Sequence, residues 1–212
     1  MLSPRVKDLV AFVDWNSQIH NAPLDGRISD EEILASRVLE FSTKSIKSVL
    51  ESAFLHYRFS VSLRFYSGWR KGFEQSDRRK ALQRVSSSTD FSLFQGRNAV
   101  FRSEVSFGDR LRSAMNVRTH KNMDCQLTNT IRLDNRGNYR EKLVDTALAA
   151  EVVDWAHRDF SDWLFILAED DDLVPPVMVA EGIRGNSGGR VMLLRRRAED
   201  KFLKLGDLRC AI

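Results

Sequence analysis

Four aspartates in three separated stretches of the 212-residue chain could act together: Asp14 after LVAFV, Asp145 within EKLVD, and Asp170 and Asp172 within FILAEDDDLVPP. Carboxylates brought within about 4 Å repel by about 1 kcal/mol in water and about 4 kcal/mol at an effective dielectric near 20. A gathered set therefore takes up protons or is neutralised by a cation. Oxygen-only ligands select hard ions, so Mg²⁺ or Mn²⁺ is the expected guest. Such an ion acidifies a bound water and offsets charge that builds on phosphate oxygens during in-line attack. Plainer uses exist for two neighbours: Asp172 ahead of VPPV suits a helix cap, and Asp171 suits solvent.

Particular elements must position these acids. LVAFV (9–13) reads as a strand buried on both faces and ending at Asp14. Ser29 or Asp30 then caps a helix that opens with Glu31 and Glu32, continues through Ile33, Val38, Phe41, Ile46, Val49, Leu50 and Phe54, and ends near Tyr57. SVSLRFY (60–66) alternates as a second strand, and Gly68 and Gly72 bracket the turn GWRKG. The pattern weakens from Phe73 to Asn138, with one strand expected at AVFRSEVSF (99–107). It then predicts a helix over 141–158, a strand over 162–168, a proline-opened helix over 174–183, a turn at GNSGG (185–189) and a strand over 190–195. Along the first of these helices, Asp145 shares a stripe with Leu148, Ala149, Val152 and Ala156, which aims it at the sheet. Glu151, Asp154 and Arg158 fall on a polar face. Strands alternating with helices imply an α/β fold with a parallel sheet covered on both faces. In such sheets, sites form beyond the carboxyl ends of strands where the winding reverses, and Asp14 and the 169–172 acids stand at strand ends.

Composition agrees with a folded protein, at 42% apolar and 29% charged residues. We expect a single domain over 1–212, with a basic insertion at about 67–138 and a tail at 198–212. No apolar stretch is long enough to span a membrane and the opening MLSPRVKDLVAFVD lacks a cleavable-signal pattern, so a cytoplasmic address is expected. Cys125 and Cys210 fit ordinary reduced thiols, and His20, His56, His120 and His157 share no ligand spacing. Charge is segregated: residues 58–84 hold eight Arg/Lys against two acids, and 141–172 hold ten Asp/Glu against two bases. This suggests a polyanion-binding part beside an anionic centre. In RFYSGWRKGF (64–73), Arg64, Arg70 and Lys71 interleave with Phe65, Tyr66, Trp69 and Phe73, a pattern suited to phosphates and stacked unpaired bases. Equally, Phe65 and Phe73 could be core and the charges a solvated face. Arg195 and Arg196, with Arg197, suit a backbone clamp or a solubilising end. Phe202, Leu203, Leu205 and Leu208 in the tail need burial, on their own domain or in a homodimer.

In VAFVDWN (10–16), EKLVD (141–145) and AEDDDLVP (168–175) the chain resembles the NYN domain family, a branch of the PIN-like nuclease superfamily. Those domains carry an Asp ending the first strand, an E-K-x-x-D helix start, and an S-G-D-S-D-F segment after a later strand with a proline soon after. The resemblance covers 9–20 and 138–195, about a third of the chain. It implies a PIN-like three-layer α/β/α fold with a central mostly parallel sheet, and Mg²⁺- or Mn²⁺-dependent cleavage of RNA phosphodiesters. It makes Asp14, Asp145, Asp170 and Asp172 the metal-binding acids, and Lys142 falls on the family's lysine. Asn16 lies near the family's asparagine, whose usual place is taken by Ser17. Glu169 and Asp171 replace the glycine and second serine of S-G-D-S-D-F. Those departures favour a competing expectation, an RNA-binding or scaffold module without turnover. A phosphoryl-accepting receiver or phosphatase is disfavoured, because DWNSQ offers no DxD after the first strand.

Overall fold

Alternation along the central strands assigns the core to two faces at once. In β1 (Val6–Asp14), Leu9, Ala11 and Val13 enter one apolar cluster, while Phe12 enters the other. The computed structural model describes residues 6–23, 29–112, 126–158, 163–185, 188–197 and 205–212. His120, Cys125, Asp162, Phe202, Leu203 and residues 186–187 of the expected turn lie outside them.

The sheet has six parallel strands around β1. On one side lie β2 (Arg58–Tyr66) and β5 (Ala99–Phe107). On the other lie β8 (Trp163–Leu167), β9 (Arg190–Arg195) and β10 (Arg209–Ala211). The chain builds outward from β1 in one direction, then returns to β8 and builds outward in the other, so winding reverses between β1 and β8. One face is covered by α2 (Glu31–Ala53) and α3 (Asp77–Ser88), the other by α4 (Val144–Arg158) and α5 (Val174–Arg184). This is a three-layer α/β/α fold. Helices on both sides explain why WLFIL is fully buried and reads as an unbroken apolar run.

The short α1 (Trp15–Asn21) follows β1 directly. Asp30 caps α2 by accepting from the N–H groups of Glu32 and Ile33. The helix ends at Ala53, short of Tyr57, and Leu34 and Leu39 are its buried residues where Ile33 and Phe41 were expected. Between 67 and 138 the chain makes more than short pieces. Ser76 caps the 12-residue α3, whose weak stripe of Ala81, Leu82 and Ser86 left no clear helical period. Two antiparallel hairpins complete the region: β3 (Arg70–Lys71) with β4 (Glu74–Gln75), and β6 (Ile131–Leu133) with β7 (Tyr139–Glu141). The helix expected from residue 141 therefore starts later. Glu141 ends a strand, Leu143 turns the chain with φ of 69°, and α4 begins at Val144. Leu205 from the tail is buried against the α4–α5 face. Among the described residues no helix is long and apolar enough to cross a membrane.

Candidate functional site

Asp14 and the loop after β8 meet at the reversal point, joined by one hydroxyl. Ser17 Oγ donates to Asp14 Oδ2 and accepts from the Glu169 N–H at 2.9 Å. The Ser17 N–H also donates to Asp14 Oδ2, at 3.1 Å, so Asp14 caps α1. Asp14 is 7% exposed. Burial first, with smaller pushes from the charges of Asp145 and Glu141, raises its carboxyl to about 6 against the pull of the Ser17 bonds. Asp145 is also raised, first by burial and then by Asp170, Glu141 and Asp172. Three distant stretches thus share one electrostatic field. Asp145 reaches it from the exposed first turn of α4, which corrects its expected sheet-facing position. A helix's first turn looks outward past the strand ends, so an acid there faces the mouth of the site.

The four consecutive acids divide by alternation. Glu169 accepts from Asn21 Nδ2 at 2.8 Å and from the N–H groups of Arg196 and Arg197 at 2.7 and 2.9 Å. Asp171 stands 2.9 Å from both Arg195 Nη1, a charge contact without hydrogen-bond alignment, and Arg197 Nη1. Glu169 is thus satisfied by amide donors, and Asp171 is neutralised by arginines at and just beyond the end of β9. Asp170 and Asp172 are exposed and have no cationic partner among the described residues. Asp170 Oδ1 accepts from the Asp172 N–H at 2.9 Å, so Asp170 and not Asp172 does the capping there, and α5 starts without a side-chain cap.

Glu141 is the site residue that the sequence reading omitted, although the EKLVD motif contains it. Its carboxylate accepts from Asn16 Nδ2 at 3.0 Å, Ser67 Oγ at 2.8 Å and Arg78 Nη1 at 3.1 Å. Asn16 is therefore in the site through Glu141. Lys142 is exposed beside it, with its backbone N–H donating to Thr130. No family model matches the chain, and no curated protein or solved structure gives a significant match. The site therefore rests on its own geometry.

Most of the expected RNA contacts are interior. Trp69 is fully buried, edge-on to Trp15 and Phe107, with its indole N–H on the Phe65 carbonyl. Arg64 is buried against Glu151, with Nη2 2.6 Å from Oε2, and Tyr66 donates to the same oxygen at 2.6 Å. Glu151 thereby leaves its expected polar face for the interior. Arg70 pairs with buried Asp109 at 3.0 Å, and Arg195 is buried under Asp171. These four side chains cannot stack or grip a strand without unmaking the core. Lys71 and Arg196 remain exposed, and Phe73 is 78% exposed while Phe65 is core.

The metal expected from the sequence fits in donor chemistry. Asp14 keeps Oδ1 and Asp170 keeps Oδ2 clear of the bonds described, and all the available donors are hard oxygens. Among the described residues no three His, Cys, Asp or Glu stand at the spacing of a preformed ligand shell. An ion such as Mg²⁺ would therefore take one or two of these carboxylates directly and reach the others through the waters it keeps.

Proposed function

We propose that this chain is a metal-dependent endoribonuclease of the NYN type, with Asp14, Asp145, Asp170 and Asp172 holding Mg²⁺ or Mn²⁺. The observation that carries the reading is a set of acids without cationic partners among the described residues, one of them buried, whose charges act on one another where the sheet's winding reverses. When bound, the ion would supply an acidified water and charge neutralisation at the phosphate. Ser17 fixes Asp14 and ties it to the loop after β8, so that the acids hold their relative places. Asn16 orients Glu141, and exposed Lys142 supplies a cation where a phosphate would enter. Incubating the protein with mixed RNA and Mn²⁺, with EDTA and Asp170→Asn as controls, tests the reading. Products formed equally in all three reject it.

A second reading is an RNA-binding module without turnover, favoured by the lack of a preformed ligand shell among the described residues. RNA binding that yields no products with Mg²⁺, Mn²⁺ or Co²⁺ would select it.

A further inference from the structure

The two hairpins are fastened together into one platform. The Asn129 N–H donates to the Gly72 carbonyl at 2.8 Å, and the Arg70 N–H donates to Thr130 Oγ1 at 2.9 Å. Lys71 Nζ donates to Tyr139 Oη at 2.5 Å and lies 4.6 Å from that ring's centre. Gly68 permits the approach, since a Cβ there would stand 2.6 Å from Ile131 and 3.0 Å from Glu141. The platform ends at Glu141, which accepts from Asn16 Nδ2 at 3.0 Å, two residues beyond Asp14, so it is contiguous with the acidic site. A cleft of about 600 Å³ lies beside the platform, with Lys71, Tyr139 and Arg140 on one side and the acids Glu31, Glu74 and Asp77 among the rest of its lining, while Arg136 and Lys142 stand outside it.

Its surface is unlike the rest of the site. Tyr139 is 58% exposed although its hydroxyl is held by Lys71. Arg132, Arg136, Arg140 and Lys142 are all exposed within eleven residues, 132 to 142, against Asp134 and Glu141. Arg140 is drawn to Asp134, but Arg136 and Lys142 have no ion-pair partner among the described residues. A braced aromatic face amid unpaired cations matches a single strand, whose bases present faces that a duplex hides.

We propose that this platform grips unpaired nucleotides next to the acidic site, with Tyr139 stacking a base and Arg136 and Lys142 holding phosphates. The proposal rests on the nuclease reading for the identity of its ligand, and it names the substrate as single-stranded. It is tested by fluorescence anisotropy in EDTA with labelled oligouridine, oligodeoxythymidine and a blunt RNA duplex. Both single strands should bind more tightly than the duplex. Tyr139→Ala should weaken single-strand binding about 5- to 100-fold, and Tyr139→Phe, which keeps the ring, by no more than about twofold. Arg136→Ala and Lys142→Ala should each lower the slope of log affinity against log salt by about 0.7. Arg102→Ala, bonded to Asp8 toward the other end of β1, should change neither quantity. Equal binding of duplex and single strands, or no effect of Tyr139→Ala, overturns the proposal. Intact binding without cleavage in Mn²⁺ removes the nuclease reading and leaves the platform standing; cleavage with unaltered Tyr139→Ala binding does the reverse.

Discussion

Glu169 and Asp171 differ from Asp170 and Asp172 only by alternation along one loop, yet they meet opposite surroundings. The first pair is held by Asn21, Arg195, Arg197 and backbone N–H groups, while the second faces other carboxylates. The division extends through the molecule. Buried Glu151 is matched by Arg64, and buried Asp109 by Arg70 and Arg79. Asp14 is buried too, but among the described residues it has no cationic partner, only its bonds from Ser17 and the charges of nearby acids. A chain that matches its other buried carboxylates and leaves this one unmatched is spending stability at one place. Leaving a buried charge uncompensated is strongly destabilising, and such exceptions cluster at functional sites.

The contrast breaks most visibly at the matched end. Arg64→Ala would leave Glu151 buried without its cation, an effect of about 3–5 kcal/mol. Thermal denaturation should then shift down by roughly 6–20 °C. A shift under about 2 °C would mean that the pair is not what holds this part of the core.

At the unmatched end the effect should fall on chemistry. Asp170→Asn should lower Mn²⁺-dependent cleavage by about 10²- to 10³-fold with little change in melting temperature. Asp171→Asn, one position along, should leave cleavage nearly intact and instead cost about 1–3 kcal/mol of stability, because buried Arg195 loses its counter-charge. Equal losses of activity in the two would erase the distinction.

Asp14 links both behaviours through pH. Its folded-state pKa, about 6, lies above the ordinary 3.8, so the folded protein binds the proton more tightly. The metal-free protein should therefore be favoured by this group below pH 4 and lose that contribution as pH rises through about 6, by roughly 3 kcal/mol at most. Asp14→Asn should flatten the profile, and saturating Mn²⁺ should do so in the unmodified chain. Urea denaturation between pH 4 and 8 with EDTA measures it, and stability that rises through this window in the unmodified chain but not in Asp14→Asn would contradict the assignment.

A last effect, on stability alone, should appear at the latch between the loops that follow β8 and β9. Glu169→Gln gives up part of an acceptor set used by three N–H donors and should cost about 1–3 kcal/mol. Cleavage at 25 °C should survive it.

Much of the framework was legible in the chain. Strands covered on both faces read as apolar runs, Asp30 announced α2, and prolines marked the start of α5. The weakly striped α3 was not legible, nor was the break at Leu143 that turns EKLVD from a helix start into a strand end and then a helix. For the site, the acids were visible as residue types at strand ends, whereas Glu141 was not, because its partners Ser67 and Arg78 are 74 and 63 residues away.

What the sequence determined by itself was the periodicity of its apolar residues, and with it a parallel sheet whose reversal point receives Asp14 and the acids after β8. Which charges are spent inside and which are left for chemistry was decided by the tertiary structure alone. A side chain's type sets what it is able to bind, but whether Arg64 meets Glu151 or a phosphate depends on packing between strands and helices 87 residues apart, which no local pattern encodes.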